Sequence, residues 1–166
     1  MDYRFVRKIR GGFTLLETLI YIALFSIIIT GAVPAIYVLL DNNARVNEQT
    51  IADKEANFII RKINWALSSD PVIVTPLPSD TGDILAVTKA DLPPAENPLI
   101  FTYDNSSNDL FLKRGSNATI QLNTAGTRIT NMTFTHIAPA GTKPAGVTVA
   151  FKLNGREFST TKYLRQ

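Results

Sequence analysis

The sequence has no cysteine and a single histidine, which excludes disulfides and thiolate metal sites. A folded region carried outside the cell would therefore hold together by its core alone. There is also no Gly-rich phosphate loop and no Ser/His/Asp arrangement. His136 falls in a segment that reads as a strand and is read as an ordinary strand residue. No catalytic constellation and no cofactor site is expected, so the chain reads as a non-enzyme. Net charge is likewise lacking over most of the length. The chain holds 17 basic and 14 acidic side chains, but Arg4, Arg7, Lys8 and Arg10 stand against only Asp2 in the first twelve residues, leaving 13 of each sign beyond them. The pI of 9.3 thus belongs to one short N-terminal segment and argues against a nucleic-acid partner.

What the sequence does have is one long apolar run. Residues 13–40 read FTLLETLIYIALFSIIITGAVPAIYVLL, with Glu17 the only ionisable group apart from the tyrosines. Such a run spans a bilayer as a helix. Four basic residues precede it and Asp41 follows, so the positive-inside bias keeps the N-terminus cytoplasmic and puts everything after Leu40 on the far side of an inner, cytoplasmic membrane. Ala32-Val33-Pro34-Ala35 has the small residues of a secretory cleavage site, but the run stays apolar through Leu40 and the helical pattern continues beyond it, so a cut there would bisect one element.

The residues Arg10-Gly11-Gly12-Phe13-Thr14-Leu15-Leu16-Glu17 closely resemble the processing motif of type IV prepilins and type II secretion pseudopilins. The motif combines a basic leader, a glycine before the cut, a phenylalanine after it, a glutamate four residues on and an unbroken membrane helix. The resemblance implies that a prepilin peptidase/methyltransferase cuts after Gly12 and N-methylates Phe13. It further implies assembly with other pilin or pseudopilin subunits through an inner-membrane platform. The physical chemistry is compatible with that implication. Glycine leaves an extended backbone unobstructed and stops helix propagation from the leader, although Gly-Gly alone also marks a plain helix boundary. Removing the leader removes four cations, each costing about 2.5–3.5 kcal/mol at mid-membrane.

Glu17 carries the sharpest functional meaning, because an acid in an apolar segment is expensive and usually meets a partner. The resemblance implies pairing with the Phe13 amine of a neighbouring subunit. The i, i+4 spacing equally permits a pair within one chain, and a carboxylate near the interface also snorkels and favours the positive end of the helix dipole. Pro34 frees the carbonyl of Thr30, and with Gly31 it predicts a kink or local melting. The family's use of a proline at this depth makes these residues a candidate hinge, while membrane helices also tolerate proline without special purpose.

Beyond Asp41 the helix becomes amphipathic. Ala52, Ala56, Ile59, Ile63 and Leu67 form one stripe, with Arg45, Glu48, Lys54, Glu55, Arg61 and Lys62 elsewhere, until Ser68-Ser69-Asp70-Pro71 stops it. A helix over 13–68 would reach about 80 Å, half in the bilayer and half carrying a head. The expected division is leader 1–12, membrane and assembly helix 13–40, amphipathic continuation 41–68 and β-rich head 69–166. Within the head, a proline-rich stretch holds a strand at 84–88. Strands are also expected at 99–103, 110–113, 119–122, 128–137, 147–153 and 157–164, with Asn154-Gly155 a hairpin turn. The fold class is α+β: a long N-terminal helix packed on a small antiparallel sheet, the architecture of the family it resembles.

Two weaker signals are read as structural. Asp104-Asn105-Ser106-Ser107-Asn108-Asp109 gathers oxygen ligands but lacks the glycine and glutamate of an EF-hand loop, so it reads as a turn and no metal is expected. Lys152, Arg156, Lys162 and Arg165 form a possible basic patch, but Glu157 interrupts it and no aromatic row accompanies it. The absence of a cysteine-bound C-terminal loop, and the likeness of residues 158–165 to the last strand of many minor subunits, favour a minor over a major subunit. A pilus, a secretion pseudopilus and a competence pilus are not separated. A tethered binding domain that never assembles is the competing class, and it requires no cut at Gly12.

Overall fold

Residues 14–164 are described by the computed structural model of the protein. One helix, α1 (Leu15–Ala66), is followed by β1 (Val72–Thr75), β2 (Thr81–Gly82), β3 (Ile84–Thr88), β4 (Leu99–Asp104), β5 (Asp109–Arg114), β6 (Ile120–Gln121), β7 (Ile129–Ile137), β8 (Gly146–Leu153) and β9 (Arg156–Tyr163). The fold class is the expected α+β, but the strands form two antiparallel sheets instead of one. The first has the order β1-β3-β4-β5-β6, the second β2-β7-β8-β9. The proline-rich stretch also contributes β1 and β2, which short length and adjacent prolines hide from pattern reading. The chain divides into two compact units between Asn47 and Glu48, within α1.

In the second unit the apolar stripe of α1 behaves as its spacing demands. Ala52, Ala56, Ile59, Ile63 and Leu67 are buried and share one core with Leu85, Val87, Leu99 and Phe101 of the first sheet and Phe134, Val149 and Phe151 of the second. Glu55 corrects the sequence reading. Its spacing places it on the polar flank, yet it is buried, and its carboxylate accepts hydrogen bonds from the backbone N–H and hydroxyl of Thr124. A buried carboxylate requires such partners. The loop that supplies them is itself tied down by Asn123, whose amide donates to Asp109 Oδ1 at 2.8 Å and to the Thr127 carbonyl at 3.0 Å.

The C-terminal end of α1 has no basic residue in its last turn. Lys89, just past β3, supplies the missing cation: its buried ammonium lies 3.1 Å from the Trp65 carbonyl oxygen and 3.4 Å from Ser68 Oγ. It adds a charged donor to a carbonyl that also accepts the Ser68 N–H at 3.2 Å and the Ser68 hydroxyl at 2.7 Å, and so places a cation at the negative end of the helix dipole. His136 is a core strand residue, its Nδ1 2.9 Å from the Pro76 carbonyl oxygen and therefore the protonated nitrogen.

Both turn expectations on the strands are met. Asn154 and Gly155 have φ of 50° and 82°, the left-handed pair of a two-residue hairpin, and join Leu153 to its partner Arg156. The segment 104–109 is the β4–β5 hairpin turn. Asp104 accepts hydrogen bonds from Ser106 N–H at 2.9 Å, Ser106 Oγ at 2.7 Å and Ser107 Oγ at 3.0 Å. These donors favour the charged form and hold the Asp104 carboxyl below its ordinary range, the Ser106 hydroxyl contributing most. A depressed carboxyl adds stability above its unfolded pKa, and that contribution is lost as pH falls through the folded value. In a carbon-detected NMR titration, Asp104 should titrate below the ordinary aspartate range, and Ser106→Ala should move it back toward that range. An unchanged midpoint in that variant would contradict the hydrogen-bond cause.

Candidate functional site

The first turn of α1 is built by a local pattern. Thr14 precedes the helix, and its hydroxyl accepts the backbone N–H of Glu17 at 3.3 Å. That is the cap half of a Thr-x-x-Glu capping box, typically worth about 1 kcal/mol. The Glu17 carboxylate therefore sits three residues into the helix, where the unpaired N–H groups make a positive end. Tyr21, one turn on, donates its hydroxyl to Glu17 Oε1 at 3.2 Å. Thr14 and Tyr21 were not among the residues singled out from sequence, although the Thr-x-x-Glu and i, i+4 spacings both announce them.

The surface around Glu17 is apolar and uncovered. Leu15, Leu16, Phe25, Ile27 and Leu39 are all well over half exposed. Each such side chain gains about 1.5–3 kcal/mol on leaving water, so this surface needs a bilayer or neighbouring helices. The polar side chains between are made compatible with hydrocarbon from within: Thr18, Ser26 and Thr30 donate to the carbonyls of Leu15, Ile22 and Ser26 at 2.8, 2.8 and 2.7 Å. Once these are satisfied, Glu17 remains as the charged side chain of residues 15–40, the apolar part of a helix long enough to cross a membrane.

Gly31 and Pro34 lie in the same helix, which runs unbroken through both. Nothing lies within 4 Å of where a Cβ on Gly31 would stand. Gly12, Phe13, Arg4, Arg7, Lys8 and Arg10 lie outside the described residues, as does Arg165 of the basic patch. Two of the remaining patch residues are ion-paired. Lys152 Nζ is 2.7 Å from Glu157 Oε1 and Arg156 Nη1 is 2.8 Å from Asp53 Oδ1. The hydrogen bond and charge of Lys152 hold the Glu157 carboxyl below its ordinary range.

Residues 7–33 match the family model of the prokaryotic N-terminal methylation motif. The matched stretch runs through Gly12 and Phe13 and on through Glu17 and Gly31. Comparison with curated proteins and with solved structures gives no match. The match to the methylation motif supports placing this chain in the type IV pilin and pseudopilin family, a structural family and not an enzymatic one. The motif implies processing by prepilin peptidase and assembly with other pilin subunits. The long apolar helix and the motif together fit a single-pass membrane-anchored pilin.

Proposed function

We propose that the protein is a minor structural subunit of a type IV filament, either a pilus or a type II secretion pseudopilus. In this reading the leader 1–12 stays cytoplasmic until a prepilin peptidase cuts after Gly12 and Phe13 is N-methylated. The helix 13–40 then leaves the bilayer for the filament with the help of an inner-membrane platform, carrying the 69–166 head outside. Glu17 offers its carboxylate to the new Phe13 amine of a neighbouring subunit, and Gly31 and Pro34 form the hinge that adjusts the helix on assembly. The observation that carries the reading is the placement of Glu17: a carboxylate presented at the capped start of an exposed apolar helix, inside the stretch 7–33 that matches the methylation motif.

Mass spectrometry of the protein purified from its native membranes tests it directly. The expected N-terminus is N-methyl-Phe13, and Gly12→Val should leave the whole leader attached. A retained leader in the unmodified protein, or a start near Ile36, would refute the filament reading in favour of a tethered or secreted binding domain.

A further inference from the structure

The outer face of the second sheet departs from an ordinary solvated sheet face. The cross-strand register aligns Thr81 with Thr135, Thr135 with Thr148, and Thr148 with Thr161, so one threonine from each of β2, β7, β8 and β9 stands in a single row. The hydroxyls are paired along it, Thr81 with Thr135 at 2.9 Å and Thr148 with Thr161 at 2.8 Å. Each pair shares one hydrogen bond, which leaves one hydroxyl hydrogen and further lone pairs of the pair for a ligand. The adjacent row is Thr133, Ala150 and Ser159, again short and uncharged. Neighbours within such a row are about 4.8 Å apart, and successive rows are about 6.8 Å apart along the strands.

The two ends of this face differ. At one end the alanine leaves a shallow hollow of about 240 Å³, bordered by Asn131, Ala150, Ser159 and the Lys152–Glu157 ion pair. At the other, Tyr163 pairs with Gly146, and a Cβ on Gly146 would come within 3.0 Å of the tyrosine ring. The ring thus lies over the glycine, because no side chain lifts it away, and Tyr163 remains half exposed. Hollow, hydroxyl rows and aromatic ring follow one another along β9 from Glu157 to Tyr163, about 20 Å.

The chemistry of this track selects its partner. The two hydroxyl rows carry no charge, Lys152 and Glu157 at the hollow neutralise each other, and Lys162 alternates onto the opposite face with its partner Val147, so among the described residues of this face a polyanion, an acidic peptide or a lipid headgroup finds no unpaired counter-charge. An amphipathic helix finds no apolar groove. A flat ribbon that is itself neutral and hydroxylated, with C–H faces to lay on an aromatic ring, complements every part of it. We infer that the outer face of the second sheet, along Ser159, Thr161 and Tyr163 of β9 and the facing Thr148 and Ala150 of β8, is a binding surface for an extended, uncharged glycan. This site does not depend on the filament reading.

The test is an NMR titration of the detergent-solubilised full chain with cellohexaose and chitohexaose, using maltohexaose as a coiled counterpart. Saturable amide shifts confined to β7, β8 and β9, insensitive to salt, are expected with one of the extended oligosaccharides. Tyr163→Ala and the shape-conserving pair Thr148→Val with Thr161→Val should each weaken binding about tenfold while leaving the remaining spectrum in place. No saturable shift with either extended oligosaccharide up to about 10 mM would overturn the inference. So would binding that both variants retain, or binding that salt abolishes. Concentration-dependent shifts of the same residues without sugar would instead assign the face to a second copy of this chain, and would equally overturn it.

Discussion

Glu17→Ala is expected to leave the cut after Gly12 intact and to lower the amount of subunit recovered in filaments on the order of 100-fold. In the proposed pairing the Phe13 amine would be left without its counter-charge among apolar helices, which costs about 2.5–3.5 kcal/mol at about 1.4 kcal/mol per tenfold. Alanine also removes the acid from the first turn, a smaller effect of about 0.3–1 kcal/mol. The isosteric Glu17→Gln variant separates the two, because the amide oxygen still accepts from the Tyr21 hydroxyl while the charge is gone. Glutamine should therefore assemble nearly as poorly as alanine, whereas Tyr21→Phe should lose little. Immunoblots of purified filaments against the membrane fraction give the ratio. If the glutamine variant reaches filaments at the unmodified level, Glu17 is a helix cap and not an assembly partner.

The second large effect lies far from that site in sequence. Lys89→Ala should destabilise the unit that begins at Glu48 by about 2–3 kcal/mol, a large fraction of the roughly 5–15 kcal/mol that holds a domain. The ammonium bonds the last turn of α1, lies 4.7 Å from the Trp65 ring centroid, and is 3.5 Å from a carboxylate oxygen of Asp91. Removing one member of a fully buried ion pair costs about 3–5 kcal/mol, but Asp91 is half exposed and rehydrates, which places the estimate below that range. Lys89→Met keeps the aliphatic stem and should recover part of the loss. Trp65 is the chain's one tryptophan, so its fluorescence during urea unfolding of the solubilised protein reports on this contact. A shift of under about 0.5 kcal/mol in the alanine variant would mean that water replaces the ammonium at the helix end without cost.

These two residues mark different degrees of legibility. Glu17 stands out in the bare sequence because its surroundings are set by covalent neighbours: a charge in an apolar run, four residues from Phe13. Lys89 gives no such signal. It follows a β-branched strand and precedes a polar turn, where a lysine is ordinarily solvated, and it becomes buried only because β3 ends beside the last turn of a helix more than twenty residues earlier. Glu55 is the converse case. The helical period places it on the polar flank, and the Thr124 loop that covers it is 69 residues away.

Local chemistry was therefore enough for the helix over 15–66, for the hairpin turn at Asn154-Gly155, for the longer strands with alternating patterns, and for the apolar surface that requires a membrane or neighbouring helices. Each depends on interactions within a few residues, and hydrophobic period and turn conformation report on those directly. Tertiary structure alone decided that the strands divide into two sheets, that Lys89 caps α1 and Glu55 is enclosed, and that four threonines from four strands fall into one row. Register between strands distant in sequence is settled by which faces can be buried together, and no local pattern carries that information.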